Sequence, residues 1–205
     1  MMFAIITPAL ITGSTADRMK FGAYAVLIGV WSVLVYPIVA HWVFSPNGWL
    51  FKLGALDFAG GAVVHINAGA AAMATIIVLG ARRGWNHDPM PPHNLPFTVL
   101  GTGILWFGWI GFNAGSALAA NGLAAQAVVN THLAAAAAML SWLLVEKLVA
   151  GHATTLGPAF GTALGPALGP AFGPAFGPAL GPAFGPAFGT AFGTALGPAF
   201  KIVYT

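Results

Sequence analysis

Residues 57–80 read DFAGGAVVHINAGAAAMATIIVLG, and this stretch decides what kind of molecule the chain builds. After Asp57 there is no Asp, Glu, Lys or Arg until residue 82. A helix of roughly 20 residues crosses a hydrocarbon core of about 30 Å. The run is therefore long enough, and apolar enough, to span a membrane. Working outward, charge is equally absent from residues 21–51 and 89–145. Only 5% of the 205 residues are charged and 58% are hydrophobic, against about 25% charged in an ordinary soluble domain. A water-soluble globular fold and a disordered chain are both excluded by these values.

The fold class expected is all-α, a polytopic membrane helix bundle with five spans at 3–16, 22–44, 58–80, 96–116 and 123–146. The first holds 14 residues, about 21 Å at 1.5 Å per residue, and falls short of a full crossing. It lacks the basic leader of a signal peptide, and Asp17, Arg18 and Lys20 follow it instead, so it reads as a membrane helix whose natural beginning is missing. Basic residues gather after spans one, three and five (Arg18, Lys20, Arg82, Arg83, Lys147), whereas Lys52 alone follows span two and none follows span four. The positive-inside rule then puts the chain start outside and loops 17–20 and 81–95 in the cytoplasm, in a multi-pass protein of the plasma or inner membrane. Trp42, Phe44, Trp49 and Phe51 flank the first outer loop as an aromatic belt does.

Two domains are expected: a membrane domain over 1–150 and a low-complexity tail over 151–205. In the tail, tetrapeptides of the form Gly-Pro/Thr-Ala-Phe/Leu repeat from residue 157. Proline recurs at every fourth residue from Pro166 to Pro186, each removing a helical hydrogen bond at about 3 kcal/mol, so an ordinary spanning helix is not expected there. A series of turns at the interface and a sequence expansion without a selected fold are the two readings.

Polar groups inside such spans are costly, and each is a candidate for function. Asp57 stands where a helix N-cap belongs, able to accept from orphan backbone N–H groups; the alternative is an acid that attracts cations to the mouth of a pathway. His65 lies near the middle of its span. Gly61, His65, Ala68, Gly69 and Ala72 share one helical face, narrow enough for close packing of another helix. His65 either bonds a neighbouring helix or serves a pathway. His132 reads as a helix-to-helix hydrogen bonder near Asn130 and Thr131. His41, His87, His93 and His152 lie near the ends of spans. No His-x-x-x-His spacing or acidic ligand supports a metal site, no Gly-x-Ser-x-Gly elbow supports a nucleophile, and too few basic residues cluster for nucleic acid. No cofactor, no metal and no enzymatic activity are expected. The segment Gly108-Trp109-Ile110-Gly111-Phe112-Asn113-Ala114-Gly115-Ser116 either anchors the interface or, with aromatic faces beside a hydroxyl, holds a small cation.

The segments MMFAIITPALITGSTADR, ALDFAGGAVVHINAG, PPHNLPF and GWIGFNAGSALAAN occur in order over residues 1 to 150, and with them the chain resembles the ammonium transporter family, relatives of the Rhesus glycoproteins. The resemblance implies helices three to seven of an eleven-helix protomer, one of three in a homotrimer. It implies Phe3 and Phe112 as a stacked aromatic gate, and Trp109 as a further pore-lining aromatic. Ser116 is implied as the hydroxyl partner of ammonium, Asp57 as the acid near the recruitment site and His65 as the first of two pore histidines. Phe44 falls where many members place tryptophan, the better π partner, which weakens cation binding. Phe3, Phe44, Ser116 and Asp57 are thus the implied ammonium site, and His65, Phe3, Phe112 and Trp109 the implied pore. The implied function is transport: ammonium recruited outside, deprotonated on entering a dry pore, and conducted as ammonia with proton relay. Loop 81–95 is implied as a contact for a cytosolic PII-type regulator, against its reading as a topology signal. Because no second pore histidine follows His152, the competing reading is a truncated, non-transporting fragment or paralogue that at most modulates full-length trimers.

Overall fold

A computed structural model describes residues 1–84, 87–88, 92–156 and 159. The repeat from 157 lies outside these residues apart from Ala159. The chain forms two compact units, Met1–Pro89 and Met90–Thr205, and among the described residues the regular structure is all helical. Among the described residues four helical stretches are long and apolar enough to cross a membrane: Phe21–Lys52, Gly61–Leu79, Leu95–Gly115 and Gly122–Leu148, with Met2–Thr15 a shorter apolar helix. The five expected spans are all present, with shifted ends.

In the first unit α1 (Met2–Thr15) presents Thr7, Pro8, Ile11, Ser14 and Thr15 as its buried stripe. This i, i+4, i+7, i+8 spacing lays one face against a neighbour. The neighbour is a helix that starts as π-helix over Gly61–Ile66 and continues as α5 (Asn67–Leu79), burying Gly61, Val63, Val64, Asn67 and Ala68. The two run parallel: the Phe3 ring lies beside Gly60 at one end, and Asp17 meets Arg82 at the other. Ile11, Trp31 and Ala68 form the central cluster, with Ile28, Tyr36 and Ala71 packed on it. Lipid tails are as apolar as these side chains, so the cluster stabilises by close packing rather than by dehydration. The hydroxyls in the interface bond their own helix: Thr7 Oγ1 donates to Phe3 O (2.6 Å), Ser14 Oγ to Ile11 O (2.7 Å) and Thr15 Oγ1 to Thr12 O (2.9 Å).

The expected span 22–44 is two pieces, α2 (Phe21–Leu34) and α3 (Tyr36–Phe44), which meet at Val35. Pro37, in the first turn of α3, has no N–H to continue the ladder and crowds the turn before it, so the regular helix is interrupted there. A short α4 (Trp49–Lys52) follows, and Trp42 and Trp49 meet edge to face with centroids 5.9 Å apart.

In the second unit α6 (Leu95–Gly115) and α7 (Gly122–Ala150) form a helical hairpin. Asn94 Oδ1 accepts from Phe97 N (3.0 Å) and Asn121 Oδ1 from Ala124 N (3.1 Å), so an Asn caps each helix start. The buried stripe of α7 is Ala127, Thr131, Ala134, Ala135 and Ala138, small residues that let α6 approach closely. Beyond Ala150 the chain turns at Gly151, where Thr154 donates to Glu146 through both its N–H (2.9 Å) and its hydroxyl (2.6 Å).

Candidate functional site

In the first unit the candidate residues converge on Gly60. Its backbone is left-handed (φ 88°), a conformation glycine adopts without penalty. A Cβ there would sit 2.8 Å from Val64 Cγ2 and 3.5 Å from the Phe3 ring. The Asp57 carboxylate straps this turn. Gly60 N donates to Oδ1 (2.6 Å), while Ala62 N (3.1 Å) and Val63 N (2.9 Å) donate to Oδ2. Asp57 thus acts as the expected cap, but from three residues before Gly60, which is itself the capping position. The helix proper begins at Gly61 rather than 58 because the left-handed residue cannot be continued back into helix.

The strap has a second effect. Gly60 O accepts from both Val64 N (2.9 Å) and His65 N (3.2 Å), the latter closing a π turn. The π-helical segment Gly61–Ile66 carries His65. Such segments are rare and cluster at functional sites. It also changes the phase of the face expected from α-helical spacing: Gly61 and Ala68 are buried, but His65, Gly69 and Ala72 are half-buried. Phe3 and Phe44 meet with ring centroids 6.0 Å apart and planes tilted by 39°. Phe3, Phe44, Asp57 and His65 therefore belong to one connected piece of the first unit.

Trp109, Phe112 and Ser116 belong to the second. Trp109 is buried, and its ring lies 5.9 Å from Phe112. Ser116 Oγ donates to Phe112 O at 3.0 Å, which commits its hydrogen and leaves its lone pairs as acceptors. Two further features of this unit escape the sequence pattern. Asn113 Nδ2 donates to Thr131 Oγ1 (2.9 Å) in the buried α6–α7 contact, and Thr131 Oγ1 passes its hydrogen to Ala127 O (2.6 Å). His132 stacks flat on Trp106, centroids 5.1 Å apart at 18°, rather than serving as a hydrogen bonder between helices. Asn-x-x-x and Trp-x-x-x spacings carry no signal for such pairs, because their partners come from the neighbouring helix. Among the described residues no three His, Asp or Glu side chains come together to hold a metal ion.

A model of the Ammonium Transporter Family matches residues 1–165. The ammonium transporter of Mycobacterium tuberculosis (strain H37Rv) is 58% identical over 167 residues, which cover 78% of this chain and 35% of the relative. That of Bacillus subtilis is 50% identical over 157 residues, covering 77% and 38%. Among solved structures, Candida albicans Mep2 superposes with a TM-score of 0.80 at 38% identity over 92% of this chain and 43% of its own. A sensor Amt protein superposes at 0.79 with 31% identity, over 98% and 53%. The chain spans about a third of the length of the curated relatives it matches. Motifs, helical architecture and these likenesses agree, and the chain belongs to the ammonium transporter family.

Proposed function

We propose that this chain supplies part of an ammonium pathway across the membrane. The observation that carries the reading is the convergence on Gly60, where the Asp57 strap, the Phe3–Phe44 pair and the π turn bearing His65 meet. In this pathway aromatic faces hold ammonium by cation–π attraction, and Ser116 Oγ accepts one of its N–H bonds. Asp57 contributes field rather than a direct contact, because its oxygens already accept from three N–H groups. Phe3, Phe112 and Trp109 line the entry. A dry passage disfavours the ion, so the proton leaves and ammonia continues past His65, whose imidazole bonds it and relays the proton.

The same reading includes a homotrimer, a chain start outside, cytoplasmic loops 17–20 and 81–95, and a PII-type regulator at loop 81–95. It takes 1–150 as the membrane domain and 151–205 as its tail. An ammonium pulse on proteoliposomes containing folded, inserted chain should shift the internal pH, and His65→Ala should alter that response. Ser116→Ala should weaken apparent ammonium affinity about tenfold, the scale of one hydrogen bond to a charged group. No response from inserted chain would remove transport by this chain. A second reading is that the chain modulates assemblies of longer relatives. Co-purification with a full-length relative tests it, and failure to associate would remove it.

A further inference from the structure

The turn between α3 and α4 carries a reactive pair that the ammonium pathway does not use. Asn47 and Asn121 are the asparagines followed directly by glycine. An asparagine carboxamide carbon needs only to close a five-membered ring to reach the backbone nitrogen of the next residue. A Cβ on that residue shields its nitrogen, and glycine has none. What else holds the two groups then decides whether the ring closes.

At Asn121 the carboxamide is committed. Its Oδ1 accepts from Ala124 N (3.1 Å) as the cap of α7, a helix of 29 residues that fixes the peptide entering it. At Asn47 nothing comparable restrains it. Asn47 is exposed, and its carboxamide makes no hydrogen bond among the described residues. Its backbone N donates to Ser45 Oγ (3.3 Å), and Gly48 N donates to Ser45 O (2.8 Å), closing a turn with Pro46 and Asn47 at its centre. Only this last bond must open to free the attacking nitrogen, and the helix that follows, α4, is four residues long. Nor is the glycine exchangeable. A Cβ at Gly48 would run into the carbonyl oxygens of His41 and Trp42, whereas one at Gly122 meets nothing within 4 Å. Packing of the turn against the end of α3 therefore requires the residue that leaves Asn47 open to attack.

We propose that Asn47 is a site of spontaneous deamidation. Base removes the Gly48 N–H proton, and the nitrogen bonds to Asn47 Cγ. The Cγ–Nδ2 bond breaks, and Nδ2 takes up a proton and leaves as ammonia. Water then opens the succinimide at either carbonyl, its hydroxyl going to carbon and its hydrogen to nitrogen. One opening gives aspartate; the other gives isoaspartate, with the main chain rerouted through the side chain. No group is oxidised or reduced. Either product puts a carboxylate into the otherwise uncharged stretch 21–51, three residues past Phe44.

The test holds the 205-residue chain in detergent at mildly alkaline pH, with its helix content followed by circular dichroism, and maps peptides by mass spectrometry over time. The peptide containing Asn47 should convert to aspartyl and isoaspartyl forms, each taking one oxygen from labelled water, at a rate that rises with hydroxide. Conversion at Asn47 should be about fivefold faster than at Asn121, the scale of one helix cap. Asn47→Ser should abolish the conversion at 47, and Asn121→Ser, which keeps a capping hydroxyl, should leave it unchanged. Conversion at Asn121 as fast as at Asn47 would overturn the assignment, because the free carboxamide would then not be deciding. So would an unaltered Asn47 after a free peptide of residues 43–51 has fully converted, which would show that the Ser45–Gly48 bond keeps the ring open.

Discussion

Replacing Asp57 with Asn keeps the outline of the side chain but turns one acceptor oxygen into a donor that faces backbone N–H groups. We expect Asp57→Asn to cost about 3 kcal/mol, as one or two hydrogen bonds to a charged acceptor are lost. The check is a denaturant titration in mixed micelles followed by circular dichroism, and an unchanged midpoint would discard the strap. Gly60→Ala should be comparably harmful, about 2–3 kcal/mol, because it adds a left-handed penalty to a collision with buried Val64. Gly103→Ala is the contrast. A Cβ at that helical position meets nothing within 4 Å, so the same titration should show a gain of about 0.5–1 kcal/mol. Equal effects at the two glycines would mean that neither backbone conformation nor space is deciding.

At the scale of the elements, the α6–α7 hairpin depends on a polar contact set among alanines. Thr131→Val removes the acceptor for Asn113 Nδ2 and should cost about 1–2 kcal/mol in the same titration. A double-mutant cycle with Asn113→Leu should return part of that loss, and strict additivity would show that the two side chains do not act as a pair. The helices themselves were plain in the sequence, since uncharged runs such as 21–51 and 89–145 have no other stable form in a membrane. The break at Val35 was not anticipated, because the missing N–H of Pro37 is a local property that hydropathy does not register. The π turn was not legible. It needs Gly60 O to accept from His65 N while Asp57 holds three N–H groups in place, and spacing tuned to 3.6 residues puts His65 in the wrong phase. Of the candidate residues, Asp57, Phe3 and Phe112 were named from their motifs. The Phe3–Phe44 pairing and the His132–Trp106 stack required side chains from separate helices to meet.

For the whole molecule, the absence of cysteine from all 205 residues makes the crossing pattern directly measurable. Lys20→Cys, Arg83→Cys and Asn47→Cys place single thiols on exposed positions. A membrane-impermeant maleimide should label the first two from one side of sealed vesicles and the third from the other. Labelling of all three from the same side would break the alternation that the parallel pairing of α1 with α5 requires.

That parallel pairing also bears on biogenesis. α1 leaves the ribosome well before its partner, and α2 and α3 must cross in the opposite sense before α5 exists to meet it. In the interval α1 faces lipid or the translocon with Thr7, Ser14 and Thr15 on the stripe that will later be covered. Each of those hydroxyls already donates to a carbonyl of its own helix, so the stripe presents no unanswered donor to hydrocarbon while it waits. Of the two partners, the helix synthesised earlier is thus built to be patient.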